Sequence, residues 1–259
     1  MPPGDPPVLT VSEVGVHFGG VVALNATSLT VHSGTVTGLI GPNGAGKTTL
    51  FNVISGLQAP DRGTVSIFDT DVTSMKPHLR ARLGLARTFQ RLEVFGSLSA
   101  SENVQVGLEA SRGQWGRIAG RTKLGSAIEP LLDRVGLTEA GTEQSSVLPT
   151  GLARMVELAR ALAIGPRLLL LDEPGSGLDE SESMALGELL TSLAAEGMAV
   201  LLVEHDMELV MRVCDRVHVL DFGHIIASGT PDEVRADPRV QKAYLGASAG
   251  SAPAAGRDA

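Results

Sequence analysis

Residues Val36 to Leu50 read VTGLIGPNGAGKTTL, and this stretch restricts the possible folds more than any other. The apolar run Val36 to Ile40 has the length and branching of a buried strand. It empties into Gly41-Pro-Asn-Gly-Ala-Gly-Lys-Thr48, which meets the spacing G-x-x-x-x-G-K-[ST] with a helix-compatible segment behind it. That arrangement is a P-loop. Glycines at 41, 44 and 46 let successive backbone N–H groups turn toward anionic oxygens, where a Cβ would hinder them. A helix starting near Lys47 adds its positive dipole end at the same spot. Lys47 then supplies a point charge for the β- and γ-phosphates, and the Thr48 hydroxyl completes the shell of a magnesium ion that also touches them.

A chain of 259 residues can bury one large α/β core or two small ones. With one P-loop and no internal repeat, a single domain over residues 8–246 is expected. It is flanked by disordered tails at 1–7, rich in proline, and 247–259, rich in alanine, serine and glycine. The net charge of −8 argues against a nucleic-acid partner. One cysteine, Cys214, excludes a disulfide within the chain and fits a reducing compartment. Met1 to Pro7 lacks the basic start and apolar stretch of a signal peptide, and no apolar run approaches the roughly 18 residues of a membrane span. A cytosolic protein is expected, or one attached to a membrane only through a partner.

Short alternating runs at 8–18 and 23–31 predict a small antiparallel sheet ahead of the P-loop strand. Behind the loop, a helix over 48–55 is ended by Gly56, followed by a strand at 64–68 and a helix at 77–83. Leu85 to Gln90 reads as a strand ending in a polar amide. From 91 to about 147 the texture changes to helix-like segments between glycine-rich gaps, one of them started by the capping box Ser99 to Glu102. A helix over 154–164 is broken by Pro166. The strand Leu168 to Leu171 follows, a continuous apolar run of the kind a parallel sheet buried on both faces requires. Further helices are predicted at 180–196 and 207–213, and strands at 199–203, 217–220 and 225–227. Thr230-Pro-Asp-Glu233 stacks the start signals of another helix. The fold class is therefore α/β, a mostly parallel sheet with helices on both faces.

Asp172 and Glu173 come straight after the four leucines, at the carboxyl edge where the P-loop also lies. An aspartate there can hold magnesium through water, and the adjoining glutamate can orient and deprotonate an attacking water. Gln90 could touch metal and water or be structural. His205, after Glu204, lies at another strand end within reach of a γ-phosphate, or serves as a surface or capping group. Between Ser111 and Lys123, the residues Arg112, Arg117, Arg121 and Lys123 accompany the sole tryptophan, Trp115, with no acid among them. This segment reads as a solvated loop or as a surface for lipid headgroups or a membrane partner.

In this order and spacing, GPNGAGKTT, RTFQ ending in Gln90, LLLLDEP, the loop Ser176 to Asp179 and Glu204-His205 resemble the nucleotide-binding subunit of an ABC transporter. The resemblance covers nearly the whole chain. More narrowly, the stretch from Leu201 to Val234, with AYLG ending at Gly246, is similar to the ATP-binding subunits of branched-chain amino-acid importers. Importers of urea and short amides share much of that pattern, and lipopolysaccharide is another cargo to consider. The resemblance implies a RecA-like P-loop NTPase core, a small antiparallel β-subdomain and an inserted helical subdomain at about 91–164 that docks on a permease. It implies ATP and Mg2+ as cofactors, a second ATP-binding subunit and, indirectly, an extracytoplasmic substrate-binding protein. The location implied is the cytoplasmic face of the cell membrane.

By the same resemblance Phe18 stacks on adenine, and Gly41, Pro42, Asn43, Gly44, Ala45, Gly46, Lys47, Thr48 and Thr49 wrap the phosphates. Magnesium falls to Thr48, Gln90 and Asp172, and Gln90 links metal occupancy to the transporter. Glu173 is the base, His205 senses the γ-phosphate, and Asp179 lies at the dimer seam. One element departs from the family pattern. Where a serine-glycine-glycine signature followed by glutamine is usual, this chain has Leu148-Pro149-Thr150-Gly151-Leu152. That signature reaches the γ-phosphate held by the other subunit. Pro149 offers neither hydroxyl nor N–H, whereas Gly151 and the helix dipole remain. A lost charge-assisted hydrogen bond is worth about 1.5 to 3 kcal/mol, so weaker closure is expected at the site this signature serves.

Two other classes fit poorly. ABC ATPases of translation or DNA repair resemble tandem or coiled-coil-inserted chains, unlike this one. A P-loop small-molecule kinase would need an arginine-rich lid and leaves the loop Ser176 to Asp179 and His205 without a use.

Overall fold

Strand periodicity decides what each face of the central sheet covers. The computed structural model describes residues 6–115 and 125–249. Six strands, β3 (Val36–Ile40), β6 (Leu85–Arg87), β7 (Leu168–Asp172), β8 (Ala199–Val203), β9 (Arg216–Asp221) and β10 (His224–Gly229), form a sheet in the order β10-β9-β3-β8-β7-β6. All neighbours are parallel except β10, which returns antiparallel to β9. Because side chains alternate, the four leucines of β7 divide between two cores. Leu169 and Leu171 join the apolar cluster that includes residues of α5 (Thr150–Ala163), α6 (Glu180–Ala195) and α7 (Met207–Val213). Leu168 and Leu170 join the cluster under α1 (Lys47–Ser55) and the antiparallel sheet.

That second sheet has the order β2-β1-β4-β5, from β1 (Leu9–Phe18), β2 (Val21–Val31), β4 (Arg62–Ile67) and the two-residue β5 (Thr70–Asp71). The α1 helix stops at Gly56, whose φ of 83° is cheap only for glycine. Arg80, in α2 (Pro77–Arg82) and 1% exposed, donates to the end carbonyls of Val53 and Ile54 and so fixes the far end of α1. The insertion contributes α3 (Ala100–Trp115), α4 (Gly125–Arg134) and α5. At its start, the Ser99 N–H donates to Glu102 Oε2 at 2.7 Å and the Glu102 N–H to Ser99 Oγ at 3.2 Å, the expected capping box.

The structure differs from the sequence reading at several boundaries. β6 ends at Arg87, so Gln90 sits in a loop beyond it. Thr88 N–H still bonds Leu170 O, but the Phe89 N–H turns to Glu157 Oε1 on α5. α5 starts at Thr150, four residues before the predicted 154, because the Pro149 carbonyl already accepts from Ala153. The last helix, α9 (Pro238–Ala249), follows α8 (Pro231–Ala236) and continues past 246, where a tail was expected to begin. The basic segment from Ser111 to Lys123 lies largely outside the described residues, and so do positions 1–5 and 250–259. No helix among the described residues is long and apolar enough to cross a membrane.

Candidate functional site

Register brings the chemistry to one edge. Leu39 of β3 pairs with Val203 of β8, and Val203 in turn pairs with Asp172 of β7. Three strand-to-loop turns, at Gly41, Glu173 and Glu204, therefore open side by side. A Cβ on Gly41 would fall 2.0 Å from the Leu220 carbonyl oxygen, and one on Gly46 (φ 109°) would fall 2.5 Å from that of Ala23. Only glycine lets the loop lie this close to β2 and β9. The turn after β9 braces the loop from behind, with Gly223 N–H donating to Ala45 O at 2.9 Å. Tyr244 of α9 hydrogen-bonds the Gly41 backbone, and burial pushes its phenol up to about 12.

Lys47 is buried, and its Nζ donates to the carbonyls of Gly41 (2.6 Å) and Pro42 (3.1 Å). Burial holds its amine below the usual range, with Glu173 and then Asp172 opposing that shift. Asn43, Gly44 and Thr48 are exposed, Pro42, Gly46 and Thr49 half-buried and Ala45 buried. The mouth of the loop is thus lined by an open hydroxyl and free backbone beside a held cation.

Glu173 adopts a φ of 53°, a left-handed conformation that is costly for a glutamate and turns the chain sharply off β7. Its N–H donates to Val203 O at 2.9 Å. Its carboxylate is gripped from two sides, by His205 Nε2 at 2.6 Å from Oε1 and by the Gln90 amide at 3.2 Å from Oε2. The three residues that the sequence placed on separate elements converge on one carboxylate. Asp172, 2% exposed, pairs through Oδ2 with Arg87 Nη2 at 3.2 Å; burial pushes its carboxyl up, and Arg87 opposes that.

Phe18 ends β1 half-exposed, so its ring is not spent on the core. Asp179 caps α6, its Oδ1 accepting from Glu182 N–H at 2.8 Å, while the Glu182 carboxylate accepts from Asp179 N–H at 2.9 Å. Gly151 is buried in the first turn of α5, and a Cβ there would meet both Glu182 carboxylate oxygens at 2.8 Å.

Three residues of the site had no assigned role in the sequence reading. Glu204 is buried and accepts from Gly175 N–H (2.6 Å) and His205 N–H (3.0 Å), tying the loop after Glu173 to the end of β8. Burial pushes its carboxyl up, and those backbone donors oppose the shift. Arg154 donates to Ser176 O (3.1 Å) and Gln90 O (3.0 Å), joining the start of α5 to both loops. Arg87 holds Asp172. The adjacency of Glu204 to His205, and arginines within otherwise apolar segments, were the available signals.

Among the described residues no group of three His, Cys, Asp or Glu could hold a metal by itself. The Thr48 hydroxyl, the Gln90 amide and the Asp172 carboxylate would offer hard oxygen donors, an incomplete set by themselves. Such a set fits magnesium, which keeps waters and binds mainly through substrate phosphates.

Residues 24–176 match the family model described as ABC transporter. Over 251 residues the chain is 37% identical to the high-affinity branched-chain amino acid transport ATP-binding protein LivG of Salmonella typhimurium, covering 93% of this chain and 98% of the relative. The chain belongs to the ABC transporter ATP-binding family. The BraF protein of Pseudomonas aeruginosa is similarly close, 38% identical over 250 residues with 93% and 98% covered. A nucleotide-free ATP-binding cassette from an ABC transporter superposes with a TM-score of 0.82 at 28% identity, covering 92% of this chain and 99% of that one. The cassette MJ1267 in its ADP conformation gives 0.80 at 29% identity, with 93% and 100% covered. This ABC chain is an ATPase subunit that binds nucleotide.

In the ABC cassette, a carboxylate held between an imidazole and an amide beside a phosphate loop can take a proton from water. Glu173→Gln keeps the shape and removes that capacity. It should lower ATP turnover by about 100-fold or more while leaving nucleotide affinity within about 2-fold. Turnover that survives the change removes Glu173 from the role of base.

Proposed function

We propose that this chain is the ATP-binding motor subunit of an importer for branched-chain amino acids. It works as a dimer of nucleotide-binding subunits docked on membrane permeases, at the cytoplasmic face of the membrane. The observation that carries the reading is the match of residues 224–250 to the family described as Branched-chain amino acid ATP-binding cassette transporter. That segment contains α8, α9 and Tyr244, whose hydroxyl reaches the P-loop. A second cargo reading, lipopolysaccharide, has support in the 35% identity over 244 residues to the export protein LptB of Escherichia coli, with 92% of this chain and 97% of the relative covered.

Residues 8–246 act as one ATP-binding domain, with the helical layer at about 91–164. Phe18 stacks on the base, and residues 41–49 bind the phosphates. Magnesium, when bound, neutralises developing phosphate charge, with Thr48, Gln90 and Asp172 around it. Glu173 orients and deprotonates the attacking water, His205 meets the γ-phosphate, and Asp179 and Gly151 face a second subunit. A groove of about 530 Å3 between the Gln90 loop and α3 and α5 is lined by Phe89, Phe95, Val106, Glu93 and Arg160. Its mix of exposed apolar side chains with Glu93 and Arg160 suits a permease segment, next to the loop that carries Gln90.

Pro149 caps α5 without any side-chain hydrogen bond, so the signature it replaces is weakened in its hydroxyl and in its N–H. Paired with a subunit bearing an intact signature, this chain's own P-loop site hydrolyses ATP well and the opposite site poorly. In a homodimer both are impaired. Pro149→Ser should raise ATPase turnover in the reconstituted complex, and an unchanged rate contradicts the asymmetry. For cargo, the complex in vesicles should be stimulated by a substrate-binding protein loaded with leucine, isoleucine or valine. Stimulation by a urea- or amide-loaded receptor alone, or by lipopolysaccharide, overturns the assignment.

A further inference from the structure

Arg87 occupies a position that the roles assigned so far do not account for. Its side chain is 6% exposed, yet it lies between the two halves of the proposed metal site and the outer groove. Nη1 donates to Asn52 Oδ1 at 2.8 Å and to Ser55 Oγ at 2.9 Å, both on α1, the helix that begins with Lys47 and Thr48. Nη2 donates to Asp172 Oδ2 at 3.2 Å. The guanidinium carbon lies 4.8 Å from the centroid of Phe89 and 5.5 Å from that of Phe51. Phe51 is fully buried, whereas Phe89 is 37% exposed and lines the groove.

We infer that Arg87 is a positioning residue that sets the Asp172 carboxylate against α1 and links it to the groove through the Phe89 ring. Three features of the geometry support this. With Oδ2 held by the guanidinium, Oδ1 is the oxygen left to carry a metal's water. The same planar fork grips α1, so one side chain ties the helix that carries Thr48 to Asp172, the two residues that would hold magnesium. The stacked ring next to the groove then makes that tie sensitive to what presses on Phe89, one residue before Gln90. Lysine could offer a charge to Asp172 but neither the fork nor the flat face. Arg87 Nε, buried and without a partner among the described residues, marks a side chain whose position is set by its other contacts and not by complete hydrogen bonding.

The inference rests on the magnesium–nucleotide reading above, and the test separates the two. Binding of a fluorescent ATP analogue to the purified chain is measured in EDTA and across a Mg2+ titration, for the wild type, Arg87→Lys, Phe89→Leu and the double variant. Partners that orient metal ligands typically govern metal affinity by about 10-fold or more, so Arg87→Lys should raise the half-saturating Mg2+ by about that factor while the EDTA affinity stays within about 2-fold. Phe89→Leu, at a half-exposed ring, should shift the Mg2+ requirement in the same direction by a smaller factor. The double variant should be no worse than Arg87→Lys alone, because the two residues act as one unit. An unchanged Mg2+ requirement in Arg87→Lys, an equal loss of affinity in EDTA, or additive effects in the double variant overturns the inference; should Arg87→Lys not fold, an unshifted Phe89→Leu does so. A wild-type chain whose nucleotide affinity ignores Mg2+ overturns the magnesium site and this inference with it.

Discussion

The register of three parallel strands governs the site. β3, β8 and β7 are hydrogen-bonded so that Leu39, Val203 and Asp172 lie in one row, and each chain leaves the sheet at its carboxyl end there. A parallel ladder has no slack in this respect, since moving one strand by a residue would send each of its side chains to the opposite face, into the other of the two cores. All residues of β3, β7 and β8 are buried, so the hydrophobic core enforces the row. The phosphate loop, the paired acids and Glu204-His205 inherit their positions from it.

Charge is concentrated on that edge and balanced locally. Lys47, Arg87, Asp172 and Glu204 are all buried or nearly so, and burial works against the charged form of each. Each is compensated by a specific neighbour: carbonyls for Lys47, Asp172 for Arg87, backbone N–H groups for Glu204. Glu173 alone is held by two side chains that come from separate loops, Gln90 and His205. The Glu173 carboxylate is thus positioned by two loops at once, so its placement depends on both.

The sequence made the strands and the acids legible because both rest on short-range rules. G-x-x-x-x-G-K-[ST] fixes a turn, four leucines fix a buried strand, and Thr230-Pro-Asp-Glu233 fixes a helix start, which the capping box at Thr230 bears out. Long-range hydrogen bonds were not legible. Arg87 looked like part of a polar strand end, and Arg154 like the opening of a helix, yet each joins segments more than twenty residues apart. The end of β6 was misjudged for the same reason: Phe89 leaves the ladder for Glu157, a partner on α5 that no local pattern announces. Asp179, expected at a dimer seam, also caps α6, a local role the sequence reading did not give it.

Everything at this edge turns on whether the loop from Gly41 to Thr48 cradles nucleotide with Lys47 as its cation. Calorimetry can decide this by measuring ATP binding in Mg2+ to the wild-type chain and to Lys47→Ala. Saturable binding by the wild type is expected, with a loss of about 10-fold or more in affinity for Lys47→Ala on removal of a charged hydrogen-bond donor to phosphate. Equal affinities for the two proteins would contradict it.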